Sequence, residues 1–360
     1  MENKEFIPWC PVWEITSKCG LKCIHCGSMA DNKRPDELTT KEAFKLCEDL
    51  SEIGAKGIAL MGGEPLLRKD WFEISKKIKD LGMALSIVTS GYVNIKEILP
   101  KLIKLEVDSV TVGFDGVEKT HNHIRGKSDS FEKAVLFIDK CNEAGLDPCP
   151  ITTFHKINFK EFHKIKDLIL NKNLDWHIQT AFPIGRFPRE LLLSQREHYT
   201  LGLIIAQEQK KYSSKKIIAA HTMGFFSSFI PNLTPYQDWR GCYAGKNAMG
   251  IKSNGDINGC DPLPDKYIEM NVRNKSIIDH WKNPDSFKYN RIFNENELGG
   301  FCKKCKYRLI CKGGCLTRSS SITGKKRNDI YCFYRIEQEL FGKNAKSEVE
   351  KIKKEYNIQI

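Results

Sequence analysis

Short apolar segments alternate with longer amphipathic segments along the first half of the chain. The longer segments repeat apolar residues at helical spacing, whereas the short ones are apolar throughout, as in strands buried on both faces. This alternation predicts six strands, over residues 12–15, 57–61, 84–88, 109–114, 150–154 and 176–180. It predicts intervening helices over residues 41–53, 71–81, 95–105, 130–144 and 159–171. Such strand–helix units predict an α/β fold, a partial (β/α)6 TIM barrel with parallel strands.

The pattern changes beyond this predicted barrel. A helix over 195–212 and a strand over 216–220 are expected in a bridging region. A loop-rich segment follows, with many cysteines, glycines and polar turns, and such a segment needs metal to fold stably. A charged helix is expected over 343–356. The predicted regions are therefore the barrel, the bridge, the cysteine-rich domain and the terminal helix, over 1–190, 191–235, 236–340 and 341–360.

Composition limits the function classes that need to be considered. The chain has 360 residues and a net charge of +12, but its lysines are scattered and not interleaved with aromatic residues, which argues against nucleic acid as a partner. No apolar run approaches the roughly 18 residues of a membrane span. Residues 1–8 lack the apolar segment of a signal peptide. We therefore expect a cytoplasmic protein without a membrane partner.

Three cysteines follow the first predicted strand with the spacing C-x3-C-x2-C: Cys19, Cys23 and Cys26. Three thiolates can hold three irons of a cubane cluster and leave the fourth iron open for chemistry. The ferredoxin run C-x2-C-x2-C has a different first gap, and a zinc site usually adds a fourth ligand. Fourteen cysteines in a chain without a secretory signal also favour metal over disulfides. The spacing predicts an open iron–sulfur site.

Glycine-containing polar segments follow the next three predicted strands, at 62–65, 89–91 and 115–116. Barrel enzymes place their chemistry at the carboxyl ends of the strands, so we expect these segments to share one rim with the cysteines. The cysteine motif followed by Gly-Gly-Glu-Pro at the next strand end resembles the radical S-adenosylmethionine (radical SAM) superfamily, over about residues 10–190. The resemblance implies a 4Fe–4S cluster that binds S-adenosylmethionine (SAM) and cleaves it reductively to a 5′-deoxyadenosyl radical.

The resemblance also implies residues that contact SAM. Gly62 and Gly63 are expected to let the backbone approach the methionyl group. Glu64 is expected to accept hydrogen bonds from its ammonium group, and Pro65 to fix the turn. Arg125 is a candidate for binding the SAM carboxylate, with a surface salt bridge as the alternative. The remaining candidates lie at other strand ends: Thr89, Ser90, Asp115 and Gln179.

The catalytic acid, base or hydrogen donor is not selected by any spacing. His155 follows the fifth strand and faces the same rim, although a satisfied loop histidine is the simpler interpretation. Gly113 stands where many radical SAM relatives have a serine, so that contact is not carried over. Several residues could donate a hydrogen atom, and the sequence favours none of them over the others: Tyr92, Cys141, Cys149 and Tyr243.

The C-terminal part contains seven further cysteines in the order C-x12-G-x4-C, C-x2-C-x5-C-x3-C and a last cysteine. This order resembles the SPASM domain, which holds two auxiliary 4Fe–4S clusters. The resemblance implies one cluster with four protein ligands, Cys302, Cys305, Cys311 and Cys332. It implies a second with three ligands, Cys242, Cys260 and Cys315, and a position for a protein or substrate group. A zinc ribbon formed by Cys302, Cys305, Cys311 and Cys315 is the alternative.

Radical SAM enzymes with a SPASM domain mostly modify peptides or proteins, by crosslinking, epimerisation or oxidation. We therefore expect an oxidoreductase-type maturase with a peptide substrate, and a reductant such as ferredoxin or flavodoxin as a partner. Only 18 residues precede Cys19, too few for a folded peptide-binding domain, so we expect leader recognition by a separate protein or by the barrel itself. A sugar or a cofactor or antibiotic precursor is the alternative substrate. A non-enzymatic electron-transfer protein would need neither the open site nor Gly-Gly-Glu-Pro.

Overall fold

Ten strands form one continuous sheet in the computed structural model, which describes residues 6–235 and 239–360. In chain order they are β1 (Val12–Thr16), β2 (Gly57–Gly62), β3 (Ala84–Thr89), β4 (Ser109–Gly113), β5 (Cys149–Phe154), β6 (Trp176–Thr180), β7 (Ile217–Ala219), β8 (Gly250–Ile251), β9 (Asp256–Asn258) and β10 (Met270–Asn271). Their order across the sheet is β10-β9-β8-β1-β2-β3-β4-β5-β6-β7. Strands β1 to β7 run parallel to one another.

The helices of the first half connect these parallel strands. They are α1 (Thr40–Glu52), α2 (Trp71–Asp80), α3 (Ile95–Leu105), α4 (Glu118–Arg125), α5 (Ser130–Glu143), α6 (Phe162–Leu170) and α7 (Gln195–Tyr212). Thr39 caps α1 in a capping box with Glu42, which fixes the start of that helix. The α/β partial barrel predicted from the hydrophobic pattern is confirmed. Helix α4 was not predicted, and it is the helix that carries Arg125.

The barrel sheet continues into the C-terminal part of the chain. Strand β8 pairs parallel to β1, with Val12 opposite Gly250 and Trp13 opposite Ile251. Strands β8, β9 and β10 are antiparallel neighbours. Backbone hydrogen bonds therefore join the cysteine-rich region to the first barrel strand. The three N-terminal cysteines follow that same strand. The regional boundaries at 190, 235 and 340 stay a prediction.

The C-terminal part is built from short helices and loops. The helices are α8 (Ile277–Lys282), α9 (Lys288–Arg291), α10 (Arg308–Cys311), α11 (Leu316–Thr323), α12 (Phe333–Ile336) and α13 (Ala345–Glu355). A small hydrophobic cluster here includes two cysteines, Cys242 and Cys260, with Leu263 and Leu316. Helix α13 lies within the predicted range 343–356. In the described part of the chain, no helix combines the length and apolarity that a bilayer crossing requires.

Candidate active site

A cavity of about 400 Å³ opens at the carboxyl ends of the parallel strands. We call it the rim cavity. It is lined by the three N-terminal cysteines and by many of the other residues expected at this rim: Cys19, Cys23, Cys26, Gly62, Gly63, Thr89, Ser90, Arg125 and Gln179. Among the predicted contact residues, Glu64, Pro65 and Asp115 do not line it. The structure thus brings together segments that are up to 160 residues apart in the sequence.

The loop between β1 and α1 holds the three rim cysteines. The backbone N–H of Leu21 donates to Cys19 Sγ at 3.4 Å, and that of Ala30 donates to Cys26 Sγ at 3.3 Å. The N–H of Ile24 donates to the carbonyl of Ile124 in α4 at 2.9 Å, which ties the loop to a barrel helix. Hydrogen bonds to cysteine sulfur are characteristic of iron–sulfur ligands.

The glycines of the Gly-Gly-Glu-Pro segment are required by packing against the loop that follows β1. A Cβ on Gly62, which has a φ of 137°, would lie 2.3 Å from the carbonyl oxygen of Thr16. A Cβ on Gly63 would lie 2.3 Å from the carbonyl oxygen of Lys18. Close approach of backbone to backbone, next to Cys19, therefore explains these glycines without any ligand. Both still present their backbone to the cavity.

Glu64 lies beneath the rim cavity, and its carboxylate binds the end of β3. Its Oε1 accepts from Thr89 Oγ1 at 2.8 Å, and its Oε2 accepts from the backbone N–H and the hydroxyl of Ser90 at 2.9 and 2.6 Å. Burial raises the pKa of Glu64, while these donors act against that rise. Glu64 thus positions Thr89 and Ser90, which do line the cavity. Pro65 begins the short 3-10 turn that follows. Contact of Glu64 with SAM stays a prediction.

Arg125 and Asp115 form a buried ion pair at the floor of the rim cavity. Arg125 Nη2 lies 2.5 Å from Asp115 Oδ2, and Arg125 Nη1 lies 4.0 Å from Cys23 Sγ. Burial raises the pKa of Asp115, but Arg125 and then His25 outweigh it and hold that pKa well below its ordinary value. A Cβ on Gly113 would lie 2.1 Å from Arg125 Nη2, so glycine at this position makes room for the guanidinium. The surface salt bridge considered for Arg125 is therefore wrong, because the pair is internal.

Two cavity residues have no motif of their own and were not among the predicted contacts. His25 lies between two rim cysteines and lines the cavity, with its Nε2 3.5 Å from Asp115 Oδ2. Burial lowers the pKa of His25 to about 4. Asp261, which follows Cys260 in the sequence, also lines the cavity. Burial, followed by the nearby Glu14 carboxylate, raises the pKa of Asp261 to about 7.

Gln179 donates to Thr153 Oγ1 at 2.9 Å, and both line the same cavity.

The residues considered as acid, base or hydrogen donor lie outside the cavity lining. Tyr92 donates to Asp129 Oδ1, and Cys141 is fully buried in the barrel core. Cys149 begins β5, at the end of the strand away from the rim. His155 is also fully buried, with its Nδ1 accepting from Ile157 and its ring 5.9 Å from that of His25. Tyr243 packs against Trp239 in the C-terminal part.

The seven C-terminal cysteines form two groups. Cys302, Cys305, Cys311 and Cys332 line one small cavity of about 20 Å³, which we call the outer cysteine site. Cys242, Cys260 and Cys315 lie close together: the charges of Cys242 and Cys315 raise the pKa of Cys260, and that of Cys242 raises the pKa of Cys315, in both cases after the larger effect of burial. We call these three the inner cysteine site, because Cys260 also lines the rim cavity.

A buried ion pair lies between the two C-terminal groups. Arg318 Nη2 lies 2.8 Å from Asp329 Oδ2, and both side chains are about 1% exposed. Asp329 accepts from the backbone N–H of Cys315 and also lines the outer cysteine site. Arg318 donates to the carbonyl of Thr222, just beyond β7, and so connects this pair to the barrel. Cys315 thus belongs with the inner group, which argues against a zinc ribbon that uses it with Cys302, Cys305 and Cys311.

Buried polar atoms lie beside all three cysteine groups. Arg125 Nε and His25 Nδ1 lie at the rim cavity and have no partner in the described ranges. The Thr317 hydroxyl can donate to Cys260, and Trp239 Nε1 can donate to Cys311. An unpaired buried polar atom costs about 1–3 kcal/mol, which a polar cofactor at the rim cavity would offset. Cysteine sulfurs with such donors beside them fit iron–sulfur clusters.

Two family models match the chain. The model of the Radical SAM superfamily matches residues 13–169, and the SPASM model, an iron–sulfur cluster-binding domain, matches residues 242–306. The first match covers β1 to α6, including the rim cysteines. The second covers the inner-site cysteines Cys242 and Cys260 and the beginning of the outer cysteine site.

Relatives of named activity match over most of their length. An AdoMet-dependent heme synthase of Methanosarcina barkeri is 28% identical over 338 residues, 90% of this chain and 95% of that protein. An Fe-coproporphyrin III synthase of the same organism is 30% identical over 356 residues, 91% of this chain and 88% of that protein. A PqqA peptide cyclase of Bradyrhizobium diazoefficiens is 26% identical over 371 residues, 96% and 91% of the two chains.

The fold also matches solved structures. Streptococcus suis SuiB, crystallised with bound S-adenosylmethionine, superposes with a TM-score of 0.72 at 18% identity. The superposition covers 91% of this chain and 76% of SuiB. At this identity the likeness concerns the fold. It extends across both the barrel and the cysteine-rich part.

Proposed function

Because this chain belongs to the radical SAM superfamily and carries a SPASM domain, we propose that it removes a hydrogen atom from a peptide or protein substrate and so modifies it. The chain is an enzyme that uses 4Fe–4S clusters and S-adenosylmethionine. When bound, these cofactors supply the 5′-deoxyadenosyl radical that abstracts the hydrogen. What the protein contributes is binding, orientation and exclusion of water.

In this proposal the rim cysteines hold the SAM-binding cluster and the surrounding strand ends hold SAM. Thr89 and Ser90 are oriented by Glu64, to which both hydroxyls donate, and they face the cavity, where their oxygens can accept from polar groups of the cofactor. Arg125 stays positively charged beside Cys23, since its pKa is raised by Asp115 despite the opposing effect of burial. Arg125 can therefore bind a carboxylate through its unused N–H groups, among them Nε, which has no partner among the described residues.

The two C-terminal groups are assigned in the same way. Cys302, Cys305, Cys311 and Cys332 would provide four ligands and close the outer cluster, as electron transfer requires. Cys242, Cys260 and Cys315 would hold the inner cluster with one position left over. The Thr317 hydroxyl would donate to a sulfur at that site.

The lining of the rim cavity supports the choice of a peptide. It includes the carboxyl group of Asp261, next to Cys260, and the apolar side chains of Phe182, Ile184 and Pro262. Among the described residues that line the cavity, Arg125 is the only cation, and it is already paired with Asp115. A carboxyl group and apolar side chains suit an amide N–H and a residue side chain. A substrate with several carboxylates would meet no unpaired positive charge here.

A cofactor precursor of the tetrapyrrole class is the second candidate. It is favoured by the relatives named heme synthase and Fe-coproporphyrin III synthase, which match at 28% and 30% identity over about nine-tenths of this chain. The PqqA peptide cyclase, at 26% identity over 96% of the chain, shares the same architecture. Sequence identity and cavity chemistry therefore point to different substrates, and a direct assay distinguishes them.

The test incubates reconstituted enzyme anaerobically with dithionite, SAM and one substrate at a time. The substrates are peptides encoded by short reading frames beside the gene and, separately, Fe-coproporphyrin III. Mass spectrometry is expected to show a mass change in a peptide together with 5′-deoxyadenosine. A change in the porphyrin alone would select the second candidate. Absence of 5′-deoxyadenosine with an intact iron content would contradict the radical reaction itself.

A further inference from the structure

A basic surface with an apolar centre covers the outside of the outer cysteine site. It consists of Lys303, Lys304, Lys306, Leu309 and Ile310, and we call it the docking face. All five side chains are exposed, with Leu309 at 57% and Ile310 at 48%. Exposed leucine and isoleucine side chains are common singly, but two adjacent ones beside three lysines form a patch.

The docking face and the outer cysteine site are two sides of one short segment. Lys303 and Lys304 lie between Cys302 and Cys305, Lys306 follows Cys305, and Ile310 precedes Cys311. These three cysteines line the cavity of the outer cysteine site. A site with four cysteine ligands has no open position for substrate and suits electron transfer. The docking face therefore adjoins the ligands of a redox centre.

The three lysines differ from many other exposed lysines of the protein. No carboxylate lies within ion-pair distance of any of them in the ranges that the structure describes. Lys304 lies 6.0 Å from the ring of Phe301, and Lys306 lies 4.9 and 5.1 Å from the rings of Tyr307 and Tyr334. Elsewhere, exposed lysines such as Lys76 pair with a carboxylate one helical turn away. Net positive charge is thus left available at this face.

We propose that the docking face binds an acidic one-electron carrier protein, which passes its electron to the enzyme here. Each encounter oxidises the carrier by one electron and reduces the enzyme by one. Interfaces of electron-transfer pairs are small, and complementary charge speeds their formation. Leu309 and Ile310 would form the desolvated centre, and the lysines the charged rim. The proposal depends on the proposed function only in requiring an enzyme that must be reduced.

The test measures binding and reduction of reconstituted holoenzyme by photoreduced flavodoxin, an acidic one-electron carrier. In K303E/K304E/K306E, both the association constant and the second-order rate of cluster reduction are expected to fall at least about tenfold at low salt. The wild-type rate is expected to fall toward the variant's rate as ionic strength rises to about 0.5 M. L309S/I310S is expected to weaken binding in a salt-independent manner.

A matched control reverses three lysines on α3, in K96E/K101E/K104E. These lysines are also exposed and lack a carboxylate partner in the described chain, and Lys101 and Lys104 also lie over aromatic rings. Equal losses in both triple variants would overturn the proposal, since net charge alone would then explain them. So would an unchanged rate in the docking-face variant. If K303E/K304E/K306E loses iron, K303Q/K304Q/K306Q serves in its place, with the same expected direction.

SAM cleavage driven by dithionite separates this proposal from the proposed function. A small chemical reductant needs no docking face, so dithionite-driven cleavage is expected to be equal in wild type and all variants. Loss of cleavage with flavodoxin but not with dithionite supports the docking face. Absence of cleavage with either reductant in wild type would contradict the proposed function. In that case flavodoxin binding, which is measured without turnover, would still test the docking face.

Discussion

The rim cavity and the outer cysteine site are both lined by cysteines, but they differ in volume and in the residues around them. The rim cavity measures about 400 Å³ and is lined by the three rim cysteines and Cys260, whereas the outer cysteine site measures about 20 Å³ and is lined by four cysteines of its own. Polar groups from several strand ends surround the first. The second is lined by Phe301, Tyr307 and Asp329. The three rim cysteines thus adjoin space for a ligand, and the four of the outer site do not.

This difference separates two functions of a site whose metal ligands are cysteines. A site with an incomplete cysteine set and adjoining volume can bind and exchange a small molecule. A closed site with a complete set can only pass electrons. The inner cysteine site combines the two, because it has three cysteines and shares Cys260 with the rim cavity. Substitutions that affect one site and spare the other test this division.

Loss of a rim cysteine should have the largest effect. Cys23→Ala is expected to abolish SAM cleavage, because the open cluster loses one of its three ligands. The measurement is anaerobic formation of 5′-deoxyadenosine by mass spectrometry. Cys47→Ala, which removes a buried thiol of α1 outside all three groups, is the control and should retain cleavage. Persistent 5′-deoxyadenosine in the Cys23 variant would refute the assignment of the rim cavity.

The second prediction concerns the wall between the rim cavity and the inner cysteine site. Asp261→Asn removes a carboxyl group that lines the cavity and whose pKa is raised to about 7, so that it is mostly ionised only above that pH. A hydrogen bond to a charged group contributes about 1.5–3 kcal/mol, so at pH 8 kcat/KM for the substrate should fall about tenfold to a hundredfold. SAM cleavage without substrate should stay close to that of wild type. Asp265→Asn, at an exposed carboxylate paired with Lys252, is the control. Equal effects of the two substitutions would remove Asp261 from the substrate site.

The third prediction concerns the closed site. Cys311→Ala is expected to leave dithionite-driven SAM cleavage detectable but to lower substrate turnover about tenfold or to impair folding, because the outer cluster loses a ligand. Iron content and the thermal transition are measured on the same sample. Turnover equal to wild type at reduced iron content would show that the outer cluster is dispensable. Loss of SAM cleavage in a folded variant would break the division between the two sites.

The barrel could be predicted from the sequence because its signals are local. Buried strands, helical periodicity and the N-cap at Thr39 lie within a few residues of the elements that they specify. Helix α4 has only two buried residues, His121 and Ile124, so its apolar periodicity is too weak to read. The two-residue strand β8 is stabilised by pairing with β1, some 240 residues earlier, and no local pattern encodes such a contact.

The candidate site likewise has features that the sequence predicts and features that only the fold reveals. Cysteine spacing and Gly-Gly-Glu-Pro are compact motifs, and both can be recognised in one sequence. The partners of Glu64 come from the next strand, and the reason for Gly113 is a side chain on α4. Asp261 is a single aspartate without a motif, and only the fold places it in the same cavity as the rim cysteines. Its proximity to Cys260 was a usable signal, because residues next to metal ligands face the same site.

The smallest expected effect concerns a single donor at the closed site. Trp239 Nε1 is buried and can donate to the sulfur of Cys311. Hydrogen bonds to cluster sulfurs raise the reduction potential, so Trp239→Phe should lower the potential of the outer cluster. A loss of about 1 kcal/mol corresponds to roughly 40 mV for a one-electron couple. An anaerobic redox titration followed by electron paramagnetic resonance measures this shift. Because the rim cluster has no contact with Trp239, its potential should stay unchanged, and a shift of both clusters would indicate a general change in the fold.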